Sequence, residues 1–129
     1  MSEIILDENG SLSANLKRVS KGIQYGDRYQ YQTYSEEELI KEYKSSVWRY
    51  NNNLEIESIN LLNDKENIEF KEDLKIAIKN YASVNEQEYL FRVNVFNKNS
   101  FVPKRYRNRK LPLKISRGYK DVDSYEIKI

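Results

Sequence analysis

EYLFRVNVFNKNSFVPKRYRNRKLPLKI, residues 88–115, is the stretch whose reading decides the fold class. Two runs of strand type flank a basic, turn-rich loop. In the first run Tyr89, Phe91, Val93 and Val95 share one face, because strand side chains alternate, and Leu90, Arg92, Asn94 and Phe96 share the other. In the second, Leu111, Leu113 and Ile115 alternate with Pro112, Lys114 and Ser116. This is the pattern of a sheet with one buried and one wetter face.

Working outward, the flanking segments add strands and one principal helix. Ile4 to Leu6 is a short apolar run, followed by Asp7-Glu8-Asn9-Gly10. Asn-Gly is a strong hairpin signal, since both residues tolerate positive φ. Leu12, Ala14 and Leu16 then alternate with polar residues, so a hairpin is expected over about 3–7 and 11–19. Residues 22–33 hold Ile23, Tyr25, Tyr29 and Tyr31 on no single period and read as irregular, with at most a short helical turn. A helix is expected over about 36–50. Ser35 is placed as N-cap with Glu38 as its capping-box partner, and Tyr34 and Leu39 take the staple positions. Leu39, Ile40, Tyr43, Val47 and Tyr50 form its apolar stripe, with Trp48 at its border.

Beyond the helix, Leu54, Ile56, Ile59 and Leu61 alternate with a slip near Ser58, as a β-bulge does. Phe70, Leu74, Ile76 and Ile78 alternate with Lys71, Asp73, Lys75 and Lys79. Residues 84–88 are a turn. Tyr125, Ile127 and Ile129 read as the inward face of a last strand over 124–129, paired on one side and open on the other. The sum is an α+β, mostly β domain, an antiparallel sheet or sandwich with one principal helix. Its 129 residues are one domain's worth.

Composition bounds the chemistry. The chain has no Cys and no His, which excludes a thiol nucleophile, a Ser-His-Asp triad and a Cys/His zinc site. No catalytic, metal or cofactor residue is assigned. Net charge is +2, from 22 basic and 20 acidic residues, a balance that argues against a dedicated nucleic-acid binder. No apolar run suits membrane insertion or a signal peptide. The one candidate binding patch is Lys104, Arg105, Tyr106, Arg107, Arg109 and Lys110. It suits an anion or a nucleic acid, with Tyr106 for stacking, or it is a solvated loop whose charges discourage edge pairing. Tyr25, Tyr29, Tyr31 and Tyr34 lie close together among 11 tyrosines. They offer a glycan- or protein-binding face, or they fill sheet faces. Asp121 and Asp123 put two carboxylates on one side of an extended segment, too few for a calcium site.

Four places resemble one family: the β-rich C-terminal domain of unknown function that follows a transglutaminase-like domain in exported bacterial proteins. Leu6-Asp7-Glu8-Asn9-Gly10-Ser11-Leu12 is similar to its opening turn, and Gly22 and Arg28 to its spaced Gly and Arg. Ser35-Glu36-Glu37-Glu38 is similar to its acidic helix start. Tyr81-Ala82, Tyr89-Leu90-Phe91 and Arg109-Lys110-Leu111-Pro112-Leu113 resemble its middle strands and basic-Pro signature. Family members continue past the equivalent of Tyr125–Ile129 into further strands, and the transglutaminase-like core is absent from this chain. The resemblance implies a non-catalytic accessory module in the periplasm or at the cell surface, part of a longer multidomain chain. Its partners would be the adjacent domain or, weakly, a second copy. A carbohydrate- or envelope-binding module using the tyrosines is the alternative.

Overall fold

A computed structural model describes residues 1–86, 88–98, 107, 108, 110, 112 and 118–129. The chain is α+β. Strands β1 (Ser2–Leu6), β2 (Leu12–Lys21), β3 (Leu54–Asp64), β4 (Glu69–Ile78) and β7 (Tyr125–Lys128) form a five-stranded sheet in the order β3-β4-β2-β1-β7. A separate hairpin pairs β5 (Ser83–Asn85) with β6 (Glu88–Leu90). Helices α1 (Ile23–Arg28) and α2 (Glu36–Glu42) each run on into a turn of another pitch, 3-10 at Tyr29–Thr33 and π at Tyr43–Val47.

The sheet is built by alternation. Leu12, Ala14 and Leu16 of β2 lie opposite Ile78, Ile76 and Leu74 of β4, and all six are buried. On the other face Ser13, Asn15 and Lys17 are exposed. The β1–β2 hairpin turns on Asp7, whose side chain accepts from the N–H groups of Asn9 (2.9 Å) and Ser11 (2.8 Å). Of Asn9 and Gly10, Gly10 alone takes a positive φ, +78°. A Cβ there would also run into the Ala82 carbonyl oxygen. The slip expected near Ser58 is a bulge between Ile56 and Ser58.

Helix α2 begins as expected. Ser35 Oγ accepts from the Glu38 N–H, and Glu38 accepts from the Ser35 N–H at 2.8 Å. Trp48 belongs to the core itself, with no exposed surface.

Five expectations are corrected. Residues 88–96 are not one strand and do not organise the sheet: the strand stops at Leu90, and β2 and β4 are its centre. The reason lies in the carbonyls of Val95 and Phe96, which are taken by side chains rather than by a neighbouring strand. Tyr50 Oη donates to Val95 O at 3.2 Å, and Trp48 Nε1 to Phe96 O at 3.0 Å. Val95 and Phe96 are consecutive and both buried, while Val93 is exposed; no period of two survives. The run Leu111, Leu113, Ile115 falls outside the described residues. Second, the sheet is mixed, because β7 pairs parallel to β1. Third, the helical turn allowed within 22–33 is a six-residue helix followed by a 3-10 turn, so α1 is nearly as long as α2. The ring stack of Tyr25 on Tyr29, four residues apart with centroids at 5.7 Å, is the helical signal in that segment. Fourth, the helix expected over 36–50 is α-helical only to Glu42. Fifth, Ile129 lies beyond β7 and is exposed.

Candidate functional site

At one end of the sheet the core face stops being apolar. Arg18 of β2 lies opposite Glu72 of β4, in phase with the buried Leu16 and Leu74, so both side chains rise on the helix-covered face. Glu72 is 1% exposed. A carboxylate so placed is costly unless paired and hydrogen-bonded. Tyr43, from the π turn after α2, donates its hydroxyl to Glu72 Oε1. Arg28, at the end of α1, brings Nη1 to 3.6 Å from the same oxygen. Burial first, then the charge and hydrogen bond of Glu72, holds the Tyr43 phenol well above the ordinary tyrosine range, so it stays a proton donor. The Arg28 guanidinium lies 5.2 Å from the centre of the Tyr31 ring, a cation–π distance.

A chain of buried aromatic rings runs from this cluster through the core. Tyr31 meets Tyr43 edge-on at 5.7 Å, Tyr43 stacks on Trp48 at 5.0 Å, and Trp48 meets Phe96 at 5.6 Å. The Phe96 carbonyl that Trp48 Nε1 holds also accepts from Arg18 Nη2 at 3.4 Å. Around Arg18 and Arg28 open two neighbouring clefts. One, about 390 Å³, is lined further by Asp27, Asn97 and Lys98. The other, about 320 Å³, reaches Lys120, Asp121 and Asp123. Asn97 Nδ2 donates to Asp123 Oδ2 at 2.7 Å and to Asp121 Oδ2 at 3.4 Å, and Gln24 Nε2 donates to Asp121 Oδ1 at 2.5 Å. The two aspartates singled out in the sequence thus face one cleft and are occupied by amide donors. The arrangement is suited to holding a charged group. Glu72, buried beneath the arginines, is covered by Tyr43 and Arg28.

Of the basic patch, Lys104, Arg105, Tyr106 and Arg109 lie outside the described residues, and Arg107 and Lys110 are exposed. The tyrosine cluster is split. Tyr31 is buried, Tyr29 and Tyr34 are exposed, and Tyr25 is half-buried with its hydroxyl donating to Asn63 Oδ1 at 3.0 Å. The Arg18, Arg28 and Glu72 constellation is absent from the sequence reading. Its signal is a charge standing on the apolar phase: Glu72 between Phe70 and Leu74, and Arg18 after Leu12, Ala14 and Leu16.

A second feature is the edge of the sheet. β7 pairs with β1 on one side, and among the described residues no strand pairs on its other side. The Ser2 N–H donates to Ser124 O at 2.9 Å. With the register Ser2 to Tyr125 and Ile4 to Ile127, that phase turns the amides of Glu126 and Lys128 toward β1. It turns those of Tyr125 and Ile127 to the outer edge.

Set against known proteins, the chain matches no family model, no curated protein and no solved structure.

Proposed function

We propose that this chain is a non-catalytic accessory module that binds a protein partner, taking an extended segment of it alongside β7. The observation that carries the reading is the outer edge of β7, whose Tyr125 and Ile127 amides face away from β1. Such an edge pairs with another strand through main-chain hydrogen bonds. A chain without His or Cys has no thiol or imidazole for nucleophilic work. The setting proposed for the module is beside a transglutaminase-like domain of a longer, exported chain, as the sequence resemblance implies. In the alternative reading, Tyr29 and Tyr34 are the exposed rings offered to a glycan.

Sedimentation equilibrium tests the proposal with a second copy of the chain as the probe strand. The expected result is weak, concentration-dependent association that Ile127→Pro abolishes. Proline there removes an outward N–H while leaving the bonds to β1 in place. A chain that stays monomeric at the highest attainable concentration, or a proline variant that associates equally well, would count against it.

A further inference from the structure

We propose that the cleft over Arg18 and Arg28 is a binding site for a carboxylate monoanion. Three observations meet there. The first is a set of unmade donors that outnumbers the one unmade acceptor beside them, Glu72 Oε2. Arg18 makes one long hydrogen bond, to the Phe96 carbonyl. Among the described residues its buried Nη1 has no hydrogen-bond partner, and neither has Arg28 Nη1, which touches Glu72 only at ion-pair distance. Guanidinium groups are planar forks that match a carboxylate in two-point contact, and a buried donor left unmade is costly. A small rotation of Arg18 that trades the weak carbonyl contact for a carboxylate would satisfy the group.

The second observation is charge. Arg18, Arg28 and Lys98 stand at this cleft against one lining carboxylate, Asp27, and one beneath it, Glu72. Among the described residues that line this cleft or lie beneath it, positive charges exceed negative by one, which suits a single negative charge. Asp27 in the wall opposes a dianion. Asp121 and Asp123 belong to the neighbouring cleft and point the anion toward Lys98 instead. Asn97 lines both clefts, with its Nδ2 held by Asp123 and Asp121.

The third is shape. About 390 Å³ lies within the range of small-ligand sites, and it takes a small organic acid or the carboxylate of a peptide. The site is separate from the β7 edge and stands or falls independently of it.

Trp48, the single tryptophan, reports on the site directly, because its indole N–H holds the same Phe96 carbonyl that Arg18 reaches. The experiment is a titration of Trp48 emission with sodium acetate at constant ionic strength, matched against chloride and against inorganic phosphate. A free-acid peptide and its C-terminal amide form a further pair of arms. The expected result is a saturable response to acetate, weakened about tenfold or more in Arg18→Gln, as loss of a charge-assisted contact predicts. Saturation by the free-acid peptide at lower concentration than acetate assigns the source to a peptide terminus; equal or weaker binding assigns it to a small acid. Three results would overturn the proposal: a chloride response equal to that of acetate, saturation by phosphate but not acetate, or an unmoved midpoint in Arg18→Gln. Should Arg18→Gln fail to melt cooperatively, the exposed Lys98 carries the test. Weaker acetate binding in Lys98→Gln supports the site, and unchanged binding overturns it.

Discussion

Glu72 is buried where an aliphatic side chain would pack, and its neighbours are arranged to make that tolerable. Tyr43 donates to it and Arg28 pairs with it. Replacing the ion pair with apolar residues of similar volume is often neutral, but removing one partner strands the other. Tyr43→Phe should therefore destabilise the fold by roughly 1–3 kcal/mol, the cost of a buried acceptor losing its donor. Urea denaturation of Tyr43→Phe, Glu72→Gln and the double variant checks it. The two changes should be non-additive, and simple additivity would mean that the bond does not bear on stability. Alkali tests Tyr43 together with four other tyrosines. Burial is the leading cause holding the phenols of Tyr31, Tyr43, Tyr50, Tyr81 and Tyr125 above their ordinary value of 10.0. Above that pH the unfolded chain gives up protons that the folded chain keeps, so unfolding becomes easier. Stability from these groups is whole below pH 10.0 and is lost as pH climbs through the folded values. Urea midpoints should fall steadily across that range, and a flat profile would contradict the burial of these rings. At this scale the sequence showed little. A lone Glu on an apolar phase is visible at position 72, but its partners come from α1 and the π turn, distant along the chain.

Elements were more legible where their determinants are local. The capping box at Ser35 and Glu38 formed as the spacing of Ser and Glu predicts. Ser35→Ala should cost about 1 kcal/mol, measured by thermal or urea unfolding. The backbone N–H and hydroxyl of Ser35 hold the Glu38 carboxyl below its usual range. Its contribution is present above the unfolded value and lost as pH falls through the folded one. The β1–β2 turn is equally local, but its strictness is not. Gly10→Ala should destabilise by more than about 1 kcal/mol, because a positive φ and the Ala82 backbone both oppose a Cβ. A variant as stable as the parent in urea would contradict that packing. Residues 88–96 show the opposite case. Alternating apolar residues read as a strand, yet strand formation needs a neighbour for the carbonyls. Trp48, Tyr50 and Arg18 take those of Val95 and Phe96 instead. Nothing in the local pattern announces partners from the segment after the π turn and from β2.

For the whole molecule, the strands of the five-stranded sheet could be read but their order could not, and β5 lies partly in residues 84–88, which read as a turn. Alternation located β2, β3, β4 and β7, and the turn at Asp7 joined β1 to β2. The return of the last strand to lie parallel beside the first is a contact across nearly the whole chain, which no period or turn residue encodes. That return leaves β7 at an edge, and the edge supports the proposal that this module acts by strand addition. Backbone phase makes the idea sharp. Amide hydrogen exchange in dilute, monomeric protein should show Glu126 and Lys128 protected by their bonds to β1, with Tyr125 and Ile127 exchanging fast at the outer edge. Protection of Tyr125 and Ile127 should then rise with protein concentration. Uniformly fast exchange at all four residues would mean that β7 does not form. Tyr125 and Ile127 as protected as their neighbours in the monomer would mean that the edge is already covered.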